Sequence, residues 1–304
     1  MKRYHGRKFH NQKVAEKPQS DLGSIRIVFR TLDVLEPMVK LRVGETLNLL
    51  RLRAAIKKYL QEDEFQRALV LYEKLVAQQN VKLTFEDWLN KGMCHFKLGQ
   101  HQQAIQDYGE AIRLKPDHAE TYFNRGLTYY DLGQYQLAIM DYDEGIRLKQ
   151  DYAGTYFNRG LLYDNLGQHE HAIQDYDEAI HLQSDYVDAY NNRGTSYGKL
   201  GKYQRAIQDY DEVIRLKPDY ADAYYNRGTA YRKLGQYQHA IQDYDEAIRL
   251  KPNDASTYNN RGLSHLREGN NYLGCRDLQK ARELGVCDGY KWAKDNGFSV
   301  DLFQ

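Results

Sequence analysis

The sequence predicts an all-α protein in which antiparallel helix pairs stack into a solenoid, and three observations support this prediction. The triplet Asn-Arg-Gly recurs with a period of 34 residues, at 124–126, 158–160, 192–194, 226–228 and 260–262. Apolar residues within each period follow helical spacing. A Leu-Gly pair at 98–99, 132–133, 166–167, 200–201 and 234–235 divides five of the periods in two. A fixed period of this length indicates units that bury their apolar faces on one another rather than in a single globular core.

The first helix of each period is indicated by an apolar pattern that ends at a glycine. In the period that starts at residue 119, Tyr122, Leu127 and Tyr130 lie at helical spacing. Gly133 follows this run, and the equivalent glycines stand at 99, 167, 201 and 235. A glycine directly after a helix adopts the left-handed conformation that ends the helix at little cost. The sequence therefore predicts a helix that stops just before each of these glycines.

A second helix is predicted from about residue 135 to residue 148 of the same period. The segment after the equivalent helix of other units reads Lys-Pro-Asp at 115–117 and 217–219, and Lys-Pro-Asn at 251–253. Proline removes a backbone donor and does not continue a helix. Each period is therefore a helix, a turn, an antiparallel helix and a short connector.

Small residues recur at the middle of both predicted helices. Glycine in the middle of a helix costs about 1 kcal/mol relative to alanine, so a repeated glycine implies a close crossing that a side chain would block. We expect the crossing to join the glycine of the first helix to an alanine of the second, with tyrosines filling the wider gaps. The pairs begin with Gly126 and Ala138, and the tyrosines include Tyr122 and Tyr142.

These features resemble the tetratricopeptide repeat (TPR). The period, the aromatic residue four positions before the glycine, the glycine, the alanine and the closing proline all match that family's pattern, and they cover six units over residues 85–288. The sixth unit departs from it at Asn271, Gly274 and Leu278, as suits a terminal repeat. Residues 289–304 are interpreted as a capping helix that carries Trp292, followed by a tail.

Upstream of the repeats, residues 46–84 are interpreted as a degenerate TPR-like helix pair. Phe65, Ala68 and Tyr72 reproduce the spacing of a second helix, but the interval from Ala68 to Ala104 is 36 residues, so the register slips. Residues 1–45 do not fit the repeat and are predicted to form a basic, partly disordered arm. Within the arm, residues 25–29 alternate weakly and suggest a short strand.

The net charge of +1 conceals an asymmetry between the arm and the repeats. Residues 1–58 hold 14 Lys/Arg and 5 Asp/Glu, a net +9, whereas residues 59–304 hold 29 and 37, a net −8. The arm's cations include Lys2, Arg3, Arg7, Lys8, Lys13 and Lys17. Two interpretations stay open: the arm contacts an anionic partner such as nucleic acid, or it folds back onto the acidic repeats.

Three widely spaced cysteines without a CxxC pair suggest a reducing compartment. No apolar run reaches membrane-spanning length, and the first 24 residues lack the apolar core of a secretory signal. We therefore expect a cytoplasmic location, with an organelle interior as the alternative.

No sequence pattern indicates catalysis, a metal site or a cofactor, since phosphate loops, HExxH and GxSxG are all missing. His169 and His171 stand near Asp175, but His169 occupies the position of tyrosines in neighbouring units, so a structural role is favoured. An aspartate that recurs in every unit, such as Asp141, is expected to pair with the recurring Arg125 in a charge-assisted ladder. The protein is therefore predicted not to be an enzyme.

The TPR resemblance implies a binding groove lined by the first helices, with contacts from the second, fifth, sixth, ninth and twelfth positions of the units. The second position is acidic at Glu86, Glu120, Asp188 and Asp222, and the groove candidates come from the other four positions. These four positions give Leu89, Met93, Phe96, Phe123, Asn124, Leu127, Tyr130, Phe157, Asn158, Leu161, Asn192, Tyr225, Asn226 and Arg232. The set is apolar in the N-terminal units and more polar afterwards. The alternative is that some of these side chains pack between helices.

The carboxylate clamp of TPR co-chaperones is not matched here, because Leu89 and Phe123 stand where lysines are required. An apolar or amphipathic partner segment is therefore favoured over an acidic tail. The sequence predicts a non-catalytic adaptor, scaffold or assembly factor that holds a segment of another protein. The alternative is an accessory subunit of a nucleic-acid-containing complex that uses the basic arm.

Overall fold

In a computed structural model, residues 47–78 and 81–299 are described, and they form fifteen helices and no strand. The helices in chain order are α1 over residues 47–61, α2 Phe65–Val76, α3 Phe85–Lys97, α4 His101–Leu114, α5 Ala119–Asp131, α6 Tyr135–Leu148, α7 Ala153–Asn165, α8 His169–Leu182, α9 Val187–Lys199, α10 Tyr203–Leu216, α11 Ala221–Lys233, α12 Tyr237–Leu250, α13 Ala255–Arg267, α14 Asn271–Glu283 and α15 Asp288–Asp295. The fold is all-α, as the sequence predicts. The chain divides into two compact units between Gln79 and Asn80. The basic arm, its suggested strand and the last five residues lie outside the described part of the chain.

The unit before residue 80 contains α1 and α2, which occupy the range of the predicted degenerate pair. Helix α2 buries Ala68, Leu69, Tyr72 and Leu75 on one face. Asp63 lies in the turn between the two helices with a left-handed φ of 56°. This turn lacks the glycine that ends the first helix in the later pairs.

From α3 to α14 the chain forms six helix pairs, each packed closely within the pair and onto the next. The second helix that is predicted over residues 135–148 is α6, with these same bounds. Helix α5 ends as predicted, because Gly133 takes a left-handed φ of 70°. Its N–H donates to the Tyr130 carbonyl at 2.8 Å, and Gln134 N–H donates to the Tyr129 carbonyl at 2.9 Å. These bonds satisfy carbonyls that the helix end would leave unpaired.

The mid-helix glycines do mark a close crossing, but the group that fills it differs from the prediction. A Cβ atom on Gly126 would lie 2.9 Å from Cε1 of Tyr142, and 3.3 Å from the Ala138 carbonyl oxygen. The tyrosine ring, not the alanine side chain, therefore lies against the glycine. Alanine contributes by being small, because it lets the backbone of the second helix approach. The same tyrosine-on-glycine contact recurs at Gly92, Gly160, Gly194 and Gly228.

The predicted Arg–Asp ladder is present in five helix pairs. Arg159 donates two hydrogen bonds to Asp175, at 2.9 and 2.6 Å, and a third to Asp143 of the preceding pair at 2.5 Å. The guanidinium also lies 5.8 Å from the centre of the Tyr156 ring. The third bond recurs at Arg193, Arg227 and Arg261. For Arg125 the residue equivalent to Asp143 is Gly109, which has no carboxylate, so this arginine lacks the third bond.

The C-terminal end of the array is closed by α15, which packs against α13 and α14. Leu266, Leu278, Tyr290 and Ala293 form a buried cluster there. Trp292 packs at its edge, with its ring stacked 6.1 Å from that of Phe298. Among the described residues, no helix combines the length and the apolar character that crossing a membrane requires.

Candidate partner-binding face

The first helices of the six pairs lie side by side, since α3, α5, α7, α9, α11 and α13 each contact the next in this series. Hydrogen bonds between side chains connect the first helix of one pair to the first helix of the next. Asn165 of α7 donates to the hydroxyl of Tyr130 on α5 at 3.2 Å, and Asn260 of α13 donates to Tyr225 on α11 at 3.0 Å. We call this surface the first-helix face.

All fourteen predicted groove residues lie on α3, α5, α7, α9 or α11, and each is partly exposed. None of them is fully buried, and none is fully exposed: Leu89, Met93, Phe96, Phe123, Asn124, Leu127, Tyr130, Phe157, Asn158, Leu161, Asn192, Tyr225, Asn226 and Arg232. Half-exposed apolar side chains retain surface that a partner can cover.

The aromatic members of this set also contribute to packing within the array. The Phe123 ring lies 5.9 Å from the Tyr142 ring and 5.4 Å from the Tyr152 ring. Phe157 makes the corresponding contacts with Tyr176 at 5.9 Å and with Tyr186 at 4.8 Å. Each ring therefore packs against two tyrosine rings and remains partly exposed. Packing between helices, the alternative to a groove role, accounts for part of each ring, and the rest of each ring stays partly exposed.

The character of the face changes between α7 and α9. Met93, Leu127 and Leu161 occupy equivalent positions on the first three of these helices, whereas Thr195 and Thr229 take that position on α9 and α11. Each threonine hydroxyl donates to the carbonyl one turn earlier, at 3.0 and 2.9 Å. The apolar half of the face therefore ends before α9. We define it by the half-exposed residues Leu89, Met93, Phe96, Phe123, Leu127, Tyr130, Phe157 and Leu161.

A partly buried carboxylate at this boundary was not anticipated from the sequence. Asp164 on α7 accepts a hydrogen bond from Ser196 of α9 at 2.7 Å, from the Tyr176 hydroxyl at 3.1 Å and from His169 Nδ1 at 2.8 Å. Burial and the adjacent Asp164 carboxylate raise the pKa of Tyr176, so its hydroxyl remains a donor. The network joins three helices and explains His169 as a structural residue.

Two clefts open on the C-terminal half of the first-helix face. The arginine cleft, of about 400 Å³, is lined by Arg232, Tyr237, Asn259, Leu263, Arg267, Asp288, Gly289 and Trp292. The lysine cleft, of about 330 Å³, is lined by Thr195, Gly198, Lys199, Tyr203, Ala206, Tyr210, Asn226, Thr229, Ala230 and Lys233. The predicted residues Arg232 and Asn226 lie in these clefts. Lys199, Lys233 and Arg267 were missed because they hold the thirteenth position of their units, just beyond the positions considered.

Several histidines and cysteines are hydrogen-bonded or buried within the fold. His95 Nδ1 lies 2.5 Å from Asp107, to which Lys91 donates at 2.7 Å. Burial lowers the pKa of His265 and raises the pKa of the Cys94 thiol to about 12. Within residues 47–78 and 81–299, no cluster of three or more His, Cys, Asp or Glu side chains is arranged to hold a metal ion.

These features define a helical-repeat protein with a continuous first-helix face. The chain belongs to the tetratricopeptide repeat family: a family model described as "Tetratricopeptide repeat" matches residues 191–255, and one described as "TPR repeat" matches 94–133, 126–167 and 165–201. TPR arrays are in general protein-interaction scaffolds. No curated protein matches the sequence.

Solved structures of TPR proteins share the fold. A crystal structure of MamA is 27% identical, with a TM-score of 0.53 over 57% of this chain and 94% of its own. YrrB, described as a TPR protein with an unusual peptide-binding site, is 22% identical, with a TM-score of 0.51 over 55% of this chain and 86% of its own. The C-terminal part of a TPR protein from Cytophaga hutchinsonii is 17% identical, with a TM-score of 0.69 over 80% and 98%.

Proposed function

We propose that this chain is a non-catalytic adaptor, scaffold or assembly factor that holds a segment of a partner protein on its first-helix face. The observation that carries the proposal is the apolar half of the face, where half-exposed apolar residues lie on α3, α5 and α7, the first helices of three successive pairs, each of which contacts the next. A contiguous apolar surface of this kind typically marks an interaction site. An apolar or amphipathic helix or strand from the partner would cover it.

The repeated polar residues support a non-catalytic role, because their chemistry is used within the fold. The ladder aspartates are buried and accept paired hydrogen bonds from arginine, as Asp209 does from Arg193 at 3.0 and 2.5 Å. A carboxylate held in this way is not free to exchange protons with a substrate. We further propose that the protein acts in the cytoplasm.

The comparison with YrrB supports the proposal by analogy, since that protein is described by its peptide-binding site. The resemblance in sequence is low, so the position of a site in this chain rests on its own residues. We therefore place the contact on Met93, Leu127 and Leu161. These side chains share one register and are not the rings that pack on the second helices.

The test replaces Leu127 and Leu161 together by glutamine and measures partner capture by affinity purification and mass spectrometry. We expect partner recovery to fall at least tenfold while helical content and thermal unfolding stay near those of the unaltered chain. Leu137→Gln is the matched control, because Leu137 lies on α6 and is 43% exposed. Unchanged partner recovery in the double variant would show that the apolar half is not the binding site. Loss of helical content would show that the two leucines are core residues.

A second candidate function rests on the positive charge of residues 1–58, which include the arm. With a net +9 over residues 1–58, the chain would act as an accessory subunit of a nucleic-acid-containing complex. Each phosphate that a lysine or arginine neutralises releases counterions, so such binding weakens steeply with salt. Capture by the apolar half depends much less on salt, and this difference separates the two functions.

A further inference from the structure

The arginine cleft contains two cations that lack the partners found elsewhere in the array. Each ladder arginine donates to at least one carboxylate, whereas no carboxylate in the described residues lies within ion-pair distance of Arg232 or Arg267. The Nε atom of Arg232 is buried and has no hydrogen-bond partner. The Arg232 side chain also interacts with the buried Tyr244 hydroxyl, and it lowers the pKa that burial raises there. A buried donor without an acceptor is costly, so Arg232 has unused capacity to bind an acceptor.

The surroundings of these cations would suit a carboxylate beside an apolar group. The guanidinium of Arg267 lies 5.4 Å from the centre of the Trp292 ring, and Leu263 lines the same cleft. Asn259 is held by a hydrogen bond from Gly289 N–H at 3.0 Å, which fixes α15 against α13. Asp288 is the single acidic residue of the lining, against two arginines.

The lysine cleft continues the positive charge along the same face. Lys199 and Lys233 are exposed, and neither has a carboxylate within ion-pair distance in the described residues. Their positions are equivalent to that of Arg267 in the next unit. Four cations from α9, α11 and α13 therefore follow one another beyond the end of the apolar half.

We infer that the two clefts bind an acidic segment of the partner whose apolar segment covers the apolar half. The inference rests on the proposed function and specifies the chemistry of the partner: an apolar stretch adjoined by several Asp or Glu residues. Side-chain carboxylates are favoured over a chain terminus because two successive clefts carry cations, and one terminal carboxylate reaches only one of them. Arginine also binds carboxylates through paired hydrogen bonds.

The test uses fluorescein-labelled synthetic peptides and the full chain, with binding measured by fluorescence anisotropy. The first peptide joins a leucine- and phenylalanine-containing segment to four glutamates and ends in a carboxamide. The second replaces the glutamates by glutamines, and the third is the glutamine peptide with a free terminal carboxylate. Each peptide is made in two versions, with the apolar segment either before or after the glutamate or glutamine segment. We expect the glutamate peptide to bind at least tenfold more tightly than either glutamine peptide.

The variant Arg232→Gln with Arg267→Gln should lower affinity for the glutamate peptide at least tenfold and leave the glutamine peptide unaffected. The second result also shows that the fold is intact. Arg249→Gln is the matched control, because Arg249 is exposed and pairs with Glu246 at 2.7 Å. It should change neither affinity.

Equal binding of the glutamate and glutamine peptides, or no effect of the double variant, would overturn the inference and leave the apolar half as the site. A preference for the free terminal carboxylate would assign the cleft to a chain end and also overturn it. A shortened chain that stops at Ser299 tests whether residues 300–304 occupy the cleft. If it binds the glutamate peptide tenfold more tightly than the full chain, the cleft belongs to those residues and not to a partner segment, and the inference is overturned. If no peptide binds, the proposed function fails as well.

Discussion

Arg193 links Asp209 of its own helix pair to Asp177 of the preceding pair. It donates to Asp209 at 3.0 and 2.5 Å and to Asp177 at 2.6 Å. The side chain of Asp209 is 5% exposed and that of Arg193 is 18% exposed, whereas Asp177 is 51% exposed. The Arg193–Asp209 pair is therefore a buried ion pair within one unit. The Arg193–Asp177 bond connects successive units at the surface.

The first prediction concerns the removal of this arginine. Arg193→Met leaves the Asp209 carboxylate buried without its partner, which should lower the free energy of unfolding by about 3–5 kcal/mol. Chemical denaturation followed by circular dichroism measures the loss. Arg215→Met is the control, because Arg215 and Glu212 are 62% and 42% exposed and such a pair contributes about 0–1 kcal/mol. Similar losses in both variants would contradict the role of the buried pair.

The same variant has a defined pH dependence. Burial raises the pKa of Asp209, and Arg193 counteracts this shift. Without Arg193 the folded-state pKa should rise further above the unfolded value of about 4. The folded state then binds a proton more tightly than the unfolded state, so the variant's deficit should shrink as the pH falls through the raised pKa. A deficit that grows on acidification would contradict this sign.

The second prediction compares two glycines of α9. A Cβ atom on Gly194 would lie 2.9 Å from Cε1 of Tyr210, whereas one on Gly198 would meet no atom within 4 Å. Gly194→Ala should therefore destabilise the array by about 1–3 kcal/mol through overpacking. Gly198→Ala should stabilise it by up to about 1 kcal/mol, because alanine is the better helix former.

Hydrogen exchange locates the effect of Gly194→Ala. Because each repeat contacts only its neighbours, exchange should rise most over residues 187–254. A uniform rise from residue 85 to residue 288 would show that the array responds as one cooperative body.

The third prediction concerns alkaline unfolding. Burial raises the pKa of Tyr108, Tyr142, Tyr176 and Tyr244 above the ordinary value, and that of Tyr210 to about 12. In the unfolded chain these phenols ionise near pH 10. The unfolded state therefore loses protons that the folded state keeps, so stability should be full below about pH 10 and fall as the pH rises through the raised values.

Tyrosinate absorbance and helical circular dichroism, recorded together against pH, check this expectation. A first group of tyrosines should ionise with helicity intact, and a second group should ionise only as helicity is lost. Ionisation of every tyrosine in a fully helical protein would contradict the buried positions of these five rings.

The fourth prediction concerns the basic arm. Deleting residues 2–20 should leave capture by the first-helix face unchanged but weaken association with the native complex at low salt. This weakening should fade as salt rises, because the screening length falls to about 8 Å near 0.15 M. Equal affinity of the full-length and shortened chains at low salt would remove the arm from the mechanism.

Local chemistry explains why much of the array is predictable from sequence. The turn glycine at Gly133 ends α5, and the bounds of α6 follow from the apolar spacing and the connector after it. The pairing of Arg125 with Asp141 follows from repetition, because two charges that recur together in every unit must satisfy one another when buried. These features depend on residues within one period, so the sequence contains them directly.

The sequence by itself determined the helix pairs, their stacking and the set of positions on the first-helix face. Tertiary structure alone decided that Tyr142, not Ala138, fills the crossing at Gly126, since side-chain direction sets which atoms meet. It also brought Arg232, Arg267 and Trp292 into one cleft, although they belong to three different helices. Arg232 and Arg267 are about one period apart and lie on the adjoining helices α11 and α13, but Trp292 follows no period, and only the packing of α15 against α13 brings it beside them.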